Sequence, residues 1–318
     1  MNLDVDPDRR ASRRPSRLRG AKRELTALAA RFAAVVLGLS LGPGAGPTHA
    51  DGVPGRDAAQ DLVLARLLAE QTSLQRQRSG WLAVELTMKP GWHTYWRNPG
   101  DAGLATGIKW ALPRGVSVGP IIWPRPERFV ARSIVGYGYS ERVALLAAVK
   151  LPARFAADRI SIEADVSWLA CSDVCIPGSK TLKLELPVSG AAPRIDPAQR
   201  RLFAEARRKI PRPAPFDATF VMDKDQIRLS FPRAAFPGVD ALSAAFYPFD
   251  SGLVEHAASQ AVSLDKQRIE LILQRSPVAI GEIGKLDGLL IVEESAAGTV
   301  NSRAFDVFAR RATSARYP

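Results

Sequence analysis

Two runs of strict alternation flank the only two cysteines of the chain. Ile160, Ile162, Ala164, Val166 and Trp168 alternate with Ser161, Glu163, Asp165 and Ser167. Beyond the cysteines, Leu182, Leu184, Leu186 and Val188 repeat the pattern. A period of two is that of a strand with one buried face, and two such strands joined by a few residues make a hairpin. Cys171 and Cys175 stand at its neck. On one straight strand, positions four apart lie roughly 13 Å from each other, whereas a disulfide needs Cα atoms within about 7 Å. A reversal through Ser172-Asp173-Val174 brings them into range.

Closing a ring of about five residues removes little chain entropy, so such a disulfide contributes only ~2 kcal/mol. Two readings stand side by side: a structural cross-link, and a redox pair that opens and closes. Cys-x3-Cys is not the Cys-x2-Cys of thioredoxin-like proteins, and no βαβ pattern surrounds it. No Lys, Arg or His lies between Trp168 and Ser179 to favour a thiolate. Spacing alone does not choose.

The N-terminus predicts the compartment. Residues 1–31 hold nine Lys/Arg and four Asp/Glu, the run from Phe32 to Leu41 is apolar, and Thr48-His49-Ala50 supplies small residues. A basic region, an apolar core and a small-residue site make a secretory signal peptide over 1–50. The apolar run is shorter than the ~20 residues that span a bilayer. A short buried helix behind a basic arm is the bland alternative. Arg13-Arg14 sits too far from the apolar core to read as twin-arginine export. With cleavage near Ala50, the mature chain is expected to be periplasmic, to lack a transmembrane segment, and to live where disulfides persist.

Removing that segment takes the formal charge from +12 to +7, with 35 basic and 28 acidic residues left. The basic residues are scattered, with short clusters at Arg200-Arg201, Arg207-Arg208-Lys209 and Arg310-Arg311. This predicts a solvated surface and no nucleic-acid partner, with an anionic membrane or partner as the charge's natural counterpart.

Short strands with turn signals between them fill the rest, which predicts an all-β chain: two immunoglobulin-like β-sandwich domains joined by a short helical linker. The first spans 51–190 and the second 216–318. Leu82, Val84, Leu86 and Met88 alternate, as do Val143, Leu145, Ala147 and Val149. Pro90 to Asp101 reads as an aromatic loop, with short strands at Ile108–Leu112 and Ile121–Trp123. All six tryptophans fall between Trp81 and Trp168 and read as packing residues. In the linker, 191–215, Asp196 and Pro197 read as N-cap and first helical residue, with Leu202, Phe203, Ala206 and Ile210 at helical spacing. Six strands are expected beyond it: Thr219–Met222, Ile227–Phe231, Ala244–Tyr247, Ile269–Leu273, Leu289–Val292 and Phe305–Phe308.

Other chemistries find little support. No His/Cys set has metal-ligand spacing, so no metal or cofactor is expected. Cu(I) on Cys171 and Cys175 is conceivable from thiolate softness but lacks Met or His neighbours. His93 could activate a cysteine, yet nothing in the sequence brings it to one. No phosphate loop, dinucleotide fingerprint or nucleophile elbow occurs.

Three segments together, Gly91-Trp92-His93-Thr94-Tyr95-Trp96-Arg97-Asn98-Pro99-Gly100-Asp101, Gly136-Tyr137-Gly138-Tyr139, and Trp168-Leu169-Ala170-Cys171-Ser172-Asp173-Val174-Cys175-Ile176-Pro177, resemble the periplasmic N-terminal region of DsbD and ScsB-type thiol–disulfide reductases. Tyr247-Pro248 and His256 to Gln260 extend the likeness into the second domain. The resemblance implies an immunoglobulin-like sandwich that relays electrons through paired cysteines. A membrane-embedded thiol reductase or thioredoxin-like protein would be the donor and oxidised periplasmic proteins the acceptors. It implies that Cys175 forms the mixed disulfide and Cys171 resolves it. It also implies an aromatic cap, for which Tyr137 or Tyr139 is the match, and a site lined by Trp168 and Pro177. The best-known members space the cysteines by five residues with Tyr-Pro following, against three and Ile-Pro here, and their membrane helices and thioredoxin-like domain find no match, so a stand-alone exported form is expected. A scaffold with a permanent disulfide, serving cytochrome or copper-protein maturation, is the alternative from another class.

Overall fold

The computed structural model describes residues 61–237, 241–279, 281–296 and 299–312. The expected signal peptide, 1–50, lies outside them. Among the described residues, eleven strands, β1 to β11, precede the helix Arg200–Lys209 and form two sheets. The first sheet has the order β1-β3-β9-β6, from β1 (Val63–Ala69), β3 (Ser79–Met88), β9 (Arg142–Lys150) and β6 (Ser117–Val118). The second runs β2-β11-β10-β4-β8-β7, with β5 also on β10. Its members are β2 (Leu74–Gln75), β4 (His93–Gly100), β5 (Gly107–Ala111), β7 (Glu127–Ala131), β8 (Ile134–Ser140), β10 (Arg159–Cys171) and β11 (Cys175–Ser189).

The predicted hairpin is the spine of that second sheet. β10 and β11 pair without a break from Arg159↔Pro187 to Cys171↔Cys175. Ile160, Ile162, Ala164, Val166, Trp168 and Ala170 face inward and are buried, as the alternation requires. Leu82, Val84, Leu86 and Met88 meet them from β3. β3 is buried on its other face as well, because helix α1 (Arg200–Lys209) lies across it: Phe203 and Ala206 close over Ala83 and Leu146. Arg207 pairs with Glu70 and lies 5.4 Å over the Trp81 ring, fixing the helix end to the sheet. The helix starts later than expected. Asp196 does not cap it. Asp196 Oδ1 instead accepts from Ala198 N at 2.9 Å in a turn that precedes it, and the cap position is Gln199.

Two further expectations are corrected. The aromatic segment 93–100 is strand β4 rather than a loop, paired with both β10 and β8 and bulged between Tyr95 and Gly100. Ile121–Trp123 is reduced to one bridge, Ile122↔Leu146.

The C-terminal part is one continuous sheet, β15-β18-β19-β13-β14-β17-β16, with β12 on β19. Its strands are β12 (Arg212–Pro213), β13 (Thr219–Met222), β14 (Gln226–Pro232), β15 (Ala241–Pro248), β16 (Ala261–Leu264), β17 (Arg268–Gln274), β18 (Lys285–Ala296) and β19 (Thr299–Arg311). It closes around Phe220, Phe231, Phe236, Phe246 and Phe305. All six expected strands are present, and β12 and β16 add to them. Tyr247, Leu289 and Ile291 do not join that core; they pack into the N-terminal one. Buried Asn98 on β4 fastens the same seam, donating from Nδ2 to the carbonyls of Pro248 at 2.8 Å and Asp250 at 3.3 Å.

Candidate functional site around the Cys171–Cys175 disulfide

Cys171 and Cys175 are directly opposed at the turn end of the β10–β11 ladder, 4.1 Å apart at Cα, and form a disulfide. Ser172-Asp173-Val174 make the reversal, closed by Ser172 N donating to Val174 O at 3.0 Å. The two sulfurs have different surroundings. Cys175 is exposed, as are the three turn residues before it. Cys171 is 2% exposed.

Strand parity explains the difference. Opposed residues of an antiparallel pair point to the same face, and so do positions two apart on one strand. Cys171 pairs with Cys175 on β11 and with His93 on β4. Tyr95 is two residues beyond His93 and shares that outer face. Ser167 and Leu169 on the same face of β10 are exposed and half-buried, so only where β4 joins does the face become covered. The cover is aromatic: His93 packs edge-on to Tyr95 at 5.2 Å and against Phe129 of β7 at 4.5 Å.

Tyr95 reaches the disulfide. Its hydroxyl is 4.0 Å from Cys175 Sγ, and its ring is seated on Gly103, where φ is +115° and a Cβ would fall 2.4 Å from Cε1. Only glycine allows both that backbone and that approach. Burial pushes the Tyr95 phenol above its ordinary value, so it stays protonated at neutral pH and faces the sulfur as a donor. Burial lowers the His93 imidazole, partly offset by the nearby Glu127 carboxylate, which leaves it neutral at pH 7.

The residues matched to the cap stand elsewhere. Tyr137 and Tyr139 belong to the opposite parity of β8 and point inward, so neither covers the disulfide. Tyr137 stacks on Tyr247 at 4.3 Å and its hydroxyl lies 3.1 Å from His256 Nδ1; Tyr139 donates to Pro124 O at 2.8 Å. Trp168 is also on the inner face, its indole laid over Gly178, where a Cβ would come within 2.5 Å of Nε1. Pro177 is on the cysteine face, opposite Leu169 and exposed. Reading from sequence missed Tyr95 and Phe129 as site residues. Tyr95 lies within the aromatic segment, and its parity relative to Cys171 would have singled it out once the His93↔Cys171 register was known.

The family model described as "Thiol:disulfide interchange protein DsbD, N-terminal" matches residues 62–187, which include both sheets of the N-terminal part and the disulfide. The chain carries a DsbD-type N-terminal domain. Among solved structures, the N-terminal periplasmic domain of ScsB from Proteus mirabilis superposes with a TM-score of 0.55 at 20% identity, covering 82% of this chain and 97% of that one. This likeness is one of fold, and it extends past the DsbD-type domain into the C-terminal sheet. A chimeric titin Z1Z2 (TM-score 0.18, 8% identity, 78% and 97% covered) and the collagen adhesin of S. aureus (0.17, 9%, 77% and 91%) score too low to carry an argument. No curated protein sequence matches the chain. The family match is to the domain over residues 62–187, and the chain beyond residue 187 lies outside it. Among the described residues no helix is long and apolar enough to cross a membrane, and no group of three or more His, Cys, Asp or Glu is arranged to hold a metal ion.

Proposed function

We propose that this is a periplasmic thiol–disulfide exchange protein that relays electrons through Cys171 and Cys175. A membrane-bound or thioredoxin-like reductase would supply them, and oxidised periplasmic proteins would accept them. The observation that supports this reading is the contrast between an exposed Cys175 and a buried Cys171. Exchange requires a thiolate to reach one sulfur while the other leaves, and Cys175 is the sulfur with room for it.

In the reduced protein, the Cys175 thiolate attacks one sulfur of a partner disulfide. A mixed disulfide forms and the partner's other sulfur leaves as a thiolate. Cys171 then attacks Cys175 Sγ, the Cys171–Cys175 bond forms, and the partner leaves as a dithiol carrying two electrons. Attack by a donor dithiol on Cys175 reverses these steps and restores the reduced pair. Tyr95 serves both directions, since its protonated hydroxyl can donate to Cys175 when that sulfur is anionic.

Cys171→Ser removes the resolving thiol, so mixed disulfides through Cys175 should accumulate in cells and be visible on non-reducing gels. Cys175→Ser should trap none. Equal trapping by both variants, or none by either, would count against the assignment. Retention of cellular function by the Cys171→Ser/Cys175→Ser double variant would favour the scaffold reading instead.

A further inference from the structure

A deep cleft lies away from the disulfide, where helix α1, the start of β7 and β19 meet. Its volume is about 1130 Å³, above the usual ~300–1,000 Å³ of a small-molecule site. Seven cationic side chains and three carboxylates line it, an excess of four positive charges. The carboxylates are engaged: Glu85 with Arg66 and Arg142, Glu205 with Arg142 and Arg201, and Glu127 with the Ser140 hydroxyl. Arg208, Lys209 and Arg212 are exposed and have no ion pair or side-chain hydrogen bond among the described residues. Among the described residues the Arg125 guanidinium donates to the neutral Ser302 hydroxyl and has no ion pair. Arg208 and Lys209 close the last turn of α1, whose C-terminal dipole is worth about half a negative charge. Two full cations exceed what that dipole can offset.

The cations follow the chain rather than converge on one point. Arg125 N donates to Lys209 O at 2.7 Å, and Arg212 stands three residues past Lys209 on β12. Pro124, Pro126, Pro213 and Pro215 supply stiff apolar walls between them. This is the shape of a trough for an extended acidic chain. Cys171, His93 and Ser140 form one row across β10, β4 and β8, and the Ser140 hydroxyl donates to Glu127 at the start of β7, on the rim of the cleft. Three strand spacings, from β10 to β7, make that path roughly 14 Å long, the reach of about four extended residues.

We propose that this cleft docks an acidic polypeptide segment of the redox partner, lying some four to six residues from the cysteine that reacts at Cys175. The proposal rests on the exchange function above, but docking needs no thiol chemistry and is tested without it. The probe is a fluorescein-labelled peptide of six glutamates, followed by anisotropy on the oxidised full chain at low salt, with the six-glutamine peptide as its neutral counterpart.

The expected result is saturable binding of the glutamate peptide alone, weakened as salt rises. The variant Arg208→Glu/Lys209→Glu/Arg212→Glu should weaken it by about tenfold or more, equivalent to ~1.4 kcal/mol. The charge-matched variant Arg154→Glu/Lys224→Glu/Lys266→Glu, altered at exposed positions outside the cleft, should not. Equal weakening by both triples would reduce the effect to net charge and overturn the proposal. So would an absence of saturable binding, or displacement by equimolar inorganic phosphate, which would mark a small-anion site. Should the triple charge reversal fail to fold by circular dichroism, Arg212→Gln alone should still weaken binding severalfold. Binding that persists in a protein unable to exchange disulfides would sink the function above and leave the cleft standing. Exchange without binding would do the reverse.

Discussion

At the residue scale, the site depends on how a few side chains are seated. Tyr95 is held by Gly103 behind its ring and His93 at its edge, with its hydroxyl 4.0 Å from Cys175 Sγ. Tyr95→Phe keeps the ring and removes the donor. A hydrogen bond to a charged group is worth about 1.5–3 kcal/mol, less where solvent competes. Alkylation of Cys175 in the reduced variant at pH 7 should therefore slow by roughly three- to tenfold, with little change in melting temperature. Gly103→Ala forces a Cβ into the ring and should produce the same slowing together with lower stability, since the tyrosine must move. An unchanged alkylation rate in both variants would remove Tyr95 from the site. Here the sequence is legible only in part. The cysteines announce themselves, but whether Tyr95 or Tyr137 faces them depends on strand parity across β4, β8 and β10, a non-local register that no local pattern contains.

At the scale of elements, legibility follows the burial of faces. The β10–β11 hairpin and strand β17 bury one face and leave the other more exposed, so alternation reveals them. Segment 93–100 has bulky residues at both parities: Tyr95 turns outward to the disulfide and Trp96 inward to the core. With Asn98-Pro99-Gly100 behind them, the period of two disappears and a central strand resembles a loop. The late start of α1 has a similarly local cause, because Asp196 spends its carboxylate on the Ala198 amide. The helix is held by packing, and Phe203 is its fully buried anchor. Phe203→Ala should cost about 3–5 kcal/mol, as truncation of a buried aromatic generally does. The midpoint of urea unfolding would report it, and a shift below 1 kcal/mol would show that the helix is peripheral. Asn98→Ala, which leaves the buried Pro248 carbonyl and the partly buried Asp250 carbonyl short of a donor, should cost about 1–3 kcal/mol.

At the scale of the whole molecule, the two sheet systems share one seam: Tyr247, Leu289 and Ile291 complete the N-terminal core, and His256 of the C-terminal part meets the Tyr137 hydroxyl. The seam carries a pH dependence. Burial lowers the proton affinity of both described histidines, His93 and His256. Unfolded, each would protonate near 6.5. Below that pH the unfolded chain binds more protons than the fold until the lowered folded values are reached, so acidification favours unfolding. Melting temperature should be flat from pH 8 to 7 and fall from about 6.5 downward. His256→Gln should reduce that fall, and a melting temperature that rises on acidification would contradict the assignment.

The central claim is that the Cys171–Cys175 bond is made and broken in use, and the measurement that bears on it most directly is its reduction potential. Thiol labelling of the full chain across a series of dithiol redox buffers would give it. The account predicts a value between about −180 and −270 mV, the range in which exchanging oxidoreductases operate. A value below about −300 mV, typical of disulfides that resist reduction, would mark a permanent cross-link and contradict the relay.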